Sequence, residues 1–213
     1  MLGLSVSPIT LKNLLRMITH INGSLLNYSD LSKSLGIAIG TVKRYIDYLE
    51  NAFLIRRIEP YFINISKRIV KAPKIYIRDT GLLHALTGIE NSEDLEGFIG
   101  KGNSWEGFVI QQIVANLKNS VSYYFYRTQD GSELDLVLVK GIKPVLGVEI
   151  KYSIAPKLSK GNKIAATDLG NVPVFVVTPS IEEDYKLAEN MTVTSLKRLF
   201  SHLTTMKLSA DTL

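Results

Sequence analysis

Two apolar runs separated by a short turn constrain the fold of this chain more than any other feature. Residues 132–139 read Ser-Glu-Leu-Asp-Leu-Val-Leu-Val, and residues 145–151 read Val-Leu-Gly-Val-Glu-Ile-Lys. Both runs predict buried β-strands, and the five residues between them predict a hairpin loop centred on Ile142. Because paired residue numbers in an antiparallel hairpin have a constant sum, this centre places Asp135 opposite Glu149.

The predicted register has a chemical consequence. It pairs Val139 with Val145 beside the turn and, because side chains alternate along a strand, it puts Glu149 and Lys151 on one face. Neighbouring carboxylates repel each other, and partial burial makes it harder to keep both ionised. A divalent cation relieves both effects, and oxygen ligands suit Mg²⁺ or Mn²⁺. We therefore predict metal binding by Asp135 and Glu149 with catalytic support from Lys151. The alternative is a solvated hairpin end with a surface ion pair.

A predicted helix over residues 105–117 contributes a third carboxylate. Its apolar residues recur at helical spacing, and Ser104 is a suitable N-cap. Glu106 shares the face of the apolar stripe, where a first-turn carboxylate gains from the helix dipole and can reach a metal or its water. Glu106 is therefore an accessory catalytic candidate. The alternative is a first-turn glutamate that only stabilises its helix.

The N-terminal part of the sequence predicts a helix-turn-helix. Residues 8–21, 29–37 and 41–50 predict helices, and a glycine-containing turn joins the second to the third. Residues 53–58 and 74–78 predict the strands of a wing. The apolar residues expected to pack inward from the third helix are Val42, Ile46, Leu49 and Phe53. A helical protein–protein module is the alternative interpretation.

The distribution of charge favours nucleic acid as a partner of the N-terminal part. Residues 1–80 contain 12 Lys and Arg but 5 acids, whereas the remaining residues contain 13 and 15. The basic excess therefore lies in the predicted helix-turn-helix region, where it would give salt-dependent affinity for phosphates. An ordinary solvated face is the alternative. The predicted nucleic-acid-binding residues are Lys43, Arg44, Arg56, Arg57, Lys67 and Arg68.

The order of predicted elements in the C-terminal part resembles a known superfamily. After the helix with Glu106, the sequence predicts a strand over 121–127, the hairpin, a helix over 159–169, a strand over 172–178 and a helix over 194–203. With Asp135, Glu149 and Lys151, this order resembles the PD-(D/E)xK nuclease superfamily, although Leu134 stands where a proline usually precedes the aspartate. The resemblance implies a mixed sheet flanked by helices, metal binding by Asp135 and Glu149, catalytic support by Lys151 and an accessory role for Glu106.

A more specific resemblance covers nearly the whole chain. Its residues are Leu35–Ile37, Thr41–Ile46, Leu49–Glu50, Phe53–Ile55, Pro60–Phe62, Lys67–Arg68, Lys71–Tyr76, Asp79–Leu83, Trp105–Glu106, Tyr126–Arg127, Glu133–Asp135 and Glu149–Ser153. They resemble the C-terminal region, of unknown function, of a large family of archaeal and bacterial AAA+-type ATPases. In that family a P-loop module precedes this region, and no G-x-x-x-x-G-K-[ST] motif occurs in this sequence. The resemblance implies a fragment of a longer polypeptide whose ATP chemistry belongs to the missing N-terminal module.

Further features set bounds on the interpretation. The sequence has no cysteine, which excludes disulfides and thiolate metal sites. We find no secretory signal and no apolar run of membrane-spanning length, so we expect a cytoplasmic protein without a membrane partner. Residues 90–102 are polar and contain glycine, which is typical of a linker. Self-association into a homo-oligomer is left open.

We therefore predict an α+β / α/β fold with two domains. Residues 1–90 form a winged helix-turn-helix, and residues 91–213 form a mixed-sheet, restriction-endonuclease-like domain. The expected function is metal-dependent phosphodiester cleavage of DNA, or binding of DNA ends or junctions, coupled to the missing ATPase module. The alternative is a non-catalytic interaction module that directs the ATPase to a nucleic-acid or protein partner, because a fold does not determine a function.

Overall fold

The structure, a computed structural model, describes residues 7–63 and 67–210. The chain divides into two compact units, and each combines helices with a sheet, so the predicted α+β class is confirmed. Unit 1 comprises Met1–Arg57 and Ala72–Gly107, and unit 2 comprises Ile58–Lys71 and Phe108–Leu213. In this division the chain passes from one unit to the other after Arg57, Lys71 and Gly107, whereas the sequence predicts a single boundary after residue 90.

Unit 1 begins with three helices that match the predicted ones. Its elements are α1 (Pro8–His20), β1 (Ser24–Leu25), α2 (Tyr28–Leu35), α3 (Ile39–Asn51), β2 (Ile55–Ile58), β3 (Lys74–Ile77), α4 (Thr80–Thr87), α5 (Ser92–Gly97) and the start of α6 (Lys101–Ala115). Ser7, Asn27 and Asp79 accept backbone hydrogen bonds at the starts of α1, α2 and α4, which is why these helices begin there. Gly36 ends α2 with a φ of 64°, a conformation that glycine adopts without strain. The sheet order is β1-β3-β2.

The core of unit 1 confirms most of the predicted helical face. Val42, Ile46 and Leu49 of α3 are buried against α1 residues such as Leu14 and Ile18. Phe53 was predicted to join this face, and that prediction is wrong. The helix ends at Asn51, and Phe53 has a φ of 60°, so its ring leaves the helical face and is 72% exposed.

Unit 2 contains a mixed six-stranded sheet within the described part of the chain. After α6 its elements are β4 (Val121–Arg127), β5 (Glu133–Lys140), β6 (Lys143–Ile150), α7 (Lys160–Asp168), β7 (Val174–Thr178), β8 (Tyr185–Ala188), β9 (Met191–Ser195) and α8 (Leu196–Thr205). The strand order is β4-β5-β6-β7-β9-β8. The β6–β7 and β7–β9 pairs are parallel, whereas the others are antiparallel.

Three local predictions need correction. The expected linker over residues 90–102 contains α5 and the first residues of α6, and Asn91 caps α5. The strands β8 and β9 were not predicted. Because Thr194 and Ser195 end β9, the last helix begins at Leu196 rather than Thr194.

A cluster of polar side chains around Asp184, the residue before β8, connects this part of the chain to β9 and α8. The carboxylate of Asp184 accepts hydrogen bonds from Thr194 Oγ1 at 2.9 Å and Arg198 Nε at 2.9 Å, and it lies 2.6 Å from His202 Nε2. Burial raises the pKa of Asp184, but the hydrogen bonds from His202, Thr194 and Arg198 outweigh it. The net pKa lies below the usual value, so the carboxylate stays ionised near neutral pH.

Candidate functional site

The β5–β6 hairpin places the two predicted metal ligands, Asp135 and Glu149, on neighbouring strands, opposite each other. The observed pairs Leu136–Val148, Val137–Gly147 and Leu138–Leu146 have the predicted register. One further step along this register places Asp135 opposite Glu149.

The turn differs from the prediction. Val139 pairs with Pro144 instead of Val145, and Lys140 pairs with Lys143 around the tight turn Gly141–Ile142. Gly141 has a φ of 63°, which explains the preference for glycine there. A bulge beside the turn leaves one residue of β6 unpaired. The one-residue change in pairing is therefore confined to the turn, and the register that relates Asp135 to Glu149 is unchanged.

A second irregularity positions Asp135. Tyr124 pairs with Val137 and Tyr126 pairs with Leu134, so β5 has one more residue than β4 around Asp135. The Asp135 Oδ2 atom accepts a hydrogen bond of 2.9 Å from the backbone N–H of Ile150. This bond holds the carboxylate at the carboxyl end of β6, against the residue that follows Glu149.

The second carboxylate lies deeper and carries its own counter-ion. Glu149 is 3% exposed, and its Oε1 atom lies 2.6 Å from Lys151 Nζ. The Lys151 side chain is 41% exposed, so its ammonium group connects a buried carboxylate with solvent. Asp135 is 7% exposed. Two buried carboxylates and one half-exposed ammonium group therefore meet at the ends of β5 and β6.

The donor set suits a hard divalent cation. Within residues 7–63 and 67–210, no group of three or more His, Cys, Asp or Glu side chains is arranged to hold a metal. Mg²⁺ does not require such a group, because it keeps several waters and binds one or two carboxylates together with substrate phosphates. Asp135 and Glu149 therefore fit Mg²⁺ or Mn²⁺, although they do not form an all-protein cage.

Glu106, the predicted accessory residue, lies in unit 1. Its Oε1 atom accepts hydrogen bonds from Lys74 Nζ at 3.1 Å and Tyr76 Oη at 2.5 Å, and both partners belong to β3. The Lys74 and Glu106 side chains are 4% and 13% exposed, so this is a buried ion pair. Ser104 does not cap the helix as predicted. It lies inside α6, which begins at Lys101, and its Oγ atom is 2.8 Å from His84 Nε2.

The predicted nucleic-acid-binding residues of unit 1 differ in exposure. Lys43 and Arg44 are exposed on α3, and the Lys43 ammonium group lies 5.5 Å from the centre of the Tyr28 ring. Arg56 is 9% exposed, in contrast to the predicted exposed cluster. Arg57 donates to Glu50 Oε2 through Nε at 2.7 Å, and its guanidinium group also binds Asp47 and Tyr28.

The environment of Arg57 explains its charge state. Burial lowers the pKa of its guanidinium group, but hydrogen bonds to Glu50 and Tyr28 raise it more, so the net pKa lies above the usual value. Arg57 is therefore a charged residue that joins α3 to β2. Its charge is largely neutralised within unit 1.

The two predicted nucleic-acid-binding residues of unit 2, Lys67 and Arg68, also differ in exposure and in pairing. Lys67 Nζ lies 2.6 and 2.7 Å from the two carboxylate oxygens of Asp168, and the Tyr126 hydroxyl donates to Asp168 Oδ2 at 2.8 Å. Burial and the bond to Asp168 raise the pKa of Tyr126, which therefore stays protonated. Arg68 is exposed. Lys43, Arg44 and Arg68 are thus the exposed members of the predicted set.

Sequence reasoning missed one residue on the same sheet face as Glu149. Thr178 ends β7 after four apolar residues, and its side chain is fully buried. The β6–β7 pairs Glu149–Val176 and Ile150–Val177 place Thr178 next to Lys151. A hydroxyl at the end of an otherwise apolar run was the available signal.

Two stretches of the chain match families of unknown function. Residues 2–93 match the family described as Domain of unknown function (DUF8612), and residues 101–199 match Domain of unknown function (DUF4143). The chain is 39% identical over 190 residues to the uncharacterized protein Rv2008c of Mycobacterium tuberculosis and to the uncharacterized protein Mb2031c of Mycobacterium bovis. In both cases 89% of this chain aligns, and the chain spans 42% of the length of the relative.

A search of solved structures found a distant likeness. The matched chain belongs to a structure titled as a refined half-complex from a tetradecameric assembly of Thermococcus gammatolerans McrB AAA+ hexamers with bound McrC. The sequence identity is 11% and the TM-score is 0.33, with 86% of this chain and 70% of that chain covered. At this similarity the match supports no inference about function.

Among the described helices, we find none with the length and hydrophobicity needed to cross a membrane.

Proposed function

We propose that unit 2 is a metal-dependent nuclease-like module that hydrolyses phosphodiester bonds in DNA. The observation that carries this proposal is the position of two buried carboxylates, Asp135 and Glu149, at the ends of neighbouring strands with Lys151 beside them. Such a group is unfavourable in an ordinary sheet, because buried like charges repel unless they bind a cation.

Each residue has a distinct role in this proposal. Asp135 and Glu149 hold Mg²⁺ or Mn²⁺, which when bound would polarise a phosphate and lower the pKa of water. The bond from the Ile150 amide orients Asp135, so this carboxylate needs little rearrangement. Lys151 reaches solvent from its pair with Glu149, and its ammonium group is suited to bind a phosphate oxygen or orient the attacking water.

Unit 1 is proposed to be a winged helix that binds nucleic acid. The order of its helices and strands and the glycine turn between α2 and α3 support this assignment. Lys43 and Arg44 project from α3 into solvent and are the proposed phosphate contacts. Arg56 and Arg57 are left out of the contact set, because the first is buried and the second binds Glu50.

The complete polypeptide is proposed to be an AAA+-type ATPase that carries this region at its C-terminal end. The resemblance of the residues around Lys74–Ile77 and Asp79 to that family supports the proposal. The mycobacterial relatives also extend well beyond the aligned region. ATP binding would then belong to a part of the polypeptide that precedes this region.

The second candidate function is a non-catalytic module that recognises a partner of the ATPase. One specific observation favours it. Lys151 lies 2.6 Å from Glu149 and compensates its charge without a metal, so the fold can be stable with an unused site. Glu106 is likewise held by Lys74 and Tyr76 within unit 1.

Isothermal titration with Mn²⁺ tests the proposed function. The wild type is expected to bind Mn²⁺ saturably, and Glu149→Gln is expected to lose this binding while keeping its urea midpoint. Glu133→Gln is the matched control, since this glutamate lies on the same hairpin and is paired with Arg127. Absence of Mn²⁺ binding to the wild type, or equal binding to Glu149→Gln, would refute the proposed site. Cleavage of a supercoiled plasmid by the wild type but not the variant would separate the nuclease from the non-catalytic module.

A further inference from the structure

We infer that Thr178 is a positioning residue of the carboxylate site, where its hydroxyl binds the hydration shell of a divalent cation held by Asp135 and Glu149. This inference rests on the proposed function and extends it to a residue on a third strand. Two independent features of Thr178 lead to it.

The first feature is a buried hydroxyl. Thr178 is 0% exposed, and its Oγ1 atom makes no hydrogen bond to any residue in the described part of the chain. A buried polar group without a hydrogen bond destabilises the folded state. Valine has nearly the same shape as threonine and already occupies the two preceding positions of β7. Packing alone therefore does not account for a threonine here.

The second feature is the direction of the side chain. In the parallel β6–β7 pair, Glu149 is opposite Val176, and the backbone N–H of Lys151 donates to Val177 O at 2.9 Å. Partners across a sheet share a face, and so do alternate residues of one strand. Thr178 therefore projects from the same face as Glu149 and Lys151, at the carboxyl ends of the two strands.

The chemistry of the proposed cation explains the need for a hydroxyl. Mg²⁺ and Mn²⁺ bound by two carboxylates retain waters, which donate hydrogen bonds outward. A threonine hydroxyl accepts such a bond and can donate another to a phosphate oxygen. Outer-shell partners of this kind typically change metal affinity by about 10- to 100-fold.

The neighbouring strand offers a matched comparison. Thr194 of β9 is also fully buried, but it pairs with Val177 and so lies on the opposite sheet face. Its hydroxyl donates to Asp184 at 2.9 Å. Thr194→Val removes a satisfied structural hydroxyl, whereas Thr178→Val removes one that we assign to the cation site.

The test measures Mn²⁺ affinity and urea stability for the wild type, Thr178→Val, Thr178→Ser and Thr194→Val. We expect Thr178→Val to raise the Kd for Mn²⁺ about tenfold and to leave the metal-free urea midpoint equal or higher. Thr178→Ser, which retains the hydroxyl, should stay within about twofold of the wild type. Thr194→Val should lower the urea midpoint and leave the Kd unchanged.

Three results would overturn the inference, and they can be told apart. An unchanged Kd in Thr178→Val, with Glu149→Gln still abolishing binding, would remove Thr178 from the site and leave the proposed function intact. An equal rise in Thr178→Ser would attribute the effect to packing instead of the hydroxyl. Absence of Mn²⁺ binding to the wild type would overturn this inference together with the proposed function.

Discussion

Replacing Arg57 with alanine is expected to destabilise unit 1 without changing the salt dependence of nucleic-acid binding. The guanidinium group donates to Glu50 at 2.7 Å, to Asp47 at 2.8 Å and to Tyr28 at 3.1 Å. These contacts join α3 and α2 to β2. The variant removes all of them and leaves Glu50 without this counter-ion.

The magnitude follows from the exposure of the partners. A hydrogen bond to a charged group contributes about 1.5–3 kcal/mol when it is shielded, and an exposed ion pair about 0.2–1 kcal/mol. The side chains of Arg57, Glu50 and Asp47 are 23%, 30% and 51% exposed. Solvent therefore weakens the Arg57–Glu50 interaction below the energy of a fully shielded one, and the Arg57–Asp47 interaction has the energy of an exposed ion pair. We expect a total loss of about 2 kcal/mol in the free energy of unfolding.

Urea unfolding followed by circular dichroism measures this loss, and Arg44→Ala is the matched control. Arg44 is exposed on the same helix, so its removal should change stability by less than about 0.5 kcal/mol. For the salt dependence of nucleic-acid binding, we expect the opposite: Arg44→Ala has the larger effect. Arg44→Ala should reduce the slope of log K against log salt by about one, whereas Arg57→Ala should leave it unchanged. A reduced slope in Arg57→Ala, or a loss below about 0.5 kcal/mol, would refute the assignment of Arg57 as structural.

Two further predictions concern unit 2. Because the pKa of Asp184 is lowered by folding, its contribution to stability is present above its unfolded pKa and is lost as the pH falls through the lower folded value. Urea midpoints of the wild type should therefore fall more steeply below about pH 4 than those of Asp184→Asn, and parallel curves would contradict this. Gly147→Ala should destabilise the protein by about 1–3 kcal/mol, because the added Cβ would lie 2.8 Å from Leu134 Cδ1 and 3.1 Å from Val174 Cγ2; an unchanged midpoint would show that both side chains can move.

The register of the β5–β6 hairpin was predictable because it depends on local sequence. Apolar runs on both sides of a short turn limit the pairing to a few choices, and a slip by one residue would reverse every side chain. The tight Gly141–Ile142 turn was not anticipated. A bulge beside it compensates for the shorter loop, and no residue type in the sequence marks that bulge.

Interactions between distant residues were beyond sequence reasoning. Lys67 binds Asp168, 101 positions away in the chain, and Glu106 binds Lys74, 32 positions away. A sequence pattern identifies Lys67 as a cation and Glu106 as a helical carboxylate, but it does not identify their partners. Whether such a charge stabilises the fold or binds a ligand depends on those partners, so the charge count overestimated the exposed basic surface.

The short strands β8 and β9 were missed for a different reason. β8 is an edge strand whose residues are largely exposed, so its sequence Tyr-Lys-Leu-Ala lacks the apolar character of a core strand. β9 reads Met-Thr-Val-Thr-Ser and continues directly into the cap of α8 at Ser195. Alternating Thr and apolar residues over so few positions fit a strand and the first turn of a helix equally well.

The charge balance at the proposed site links its ligands to one another. Asp135, Glu149 and Lys151 formally carry one net negative charge when all three are ionised. A divalent cation would reverse that charge, and the single negative charge of a phosphodiester would then neutralise it. Because net charge in a partly buried site is unfavourable, cation and phosphate should each strengthen binding of the other. A module that only recognises a protein has no need of this balance, since the Glu149–Lys151 pair would suffice without Asp135. The buried carboxylate of Asp135, oriented by the Ile150 amide, is thus the feature that favours a cation-dependent site over recognition alone.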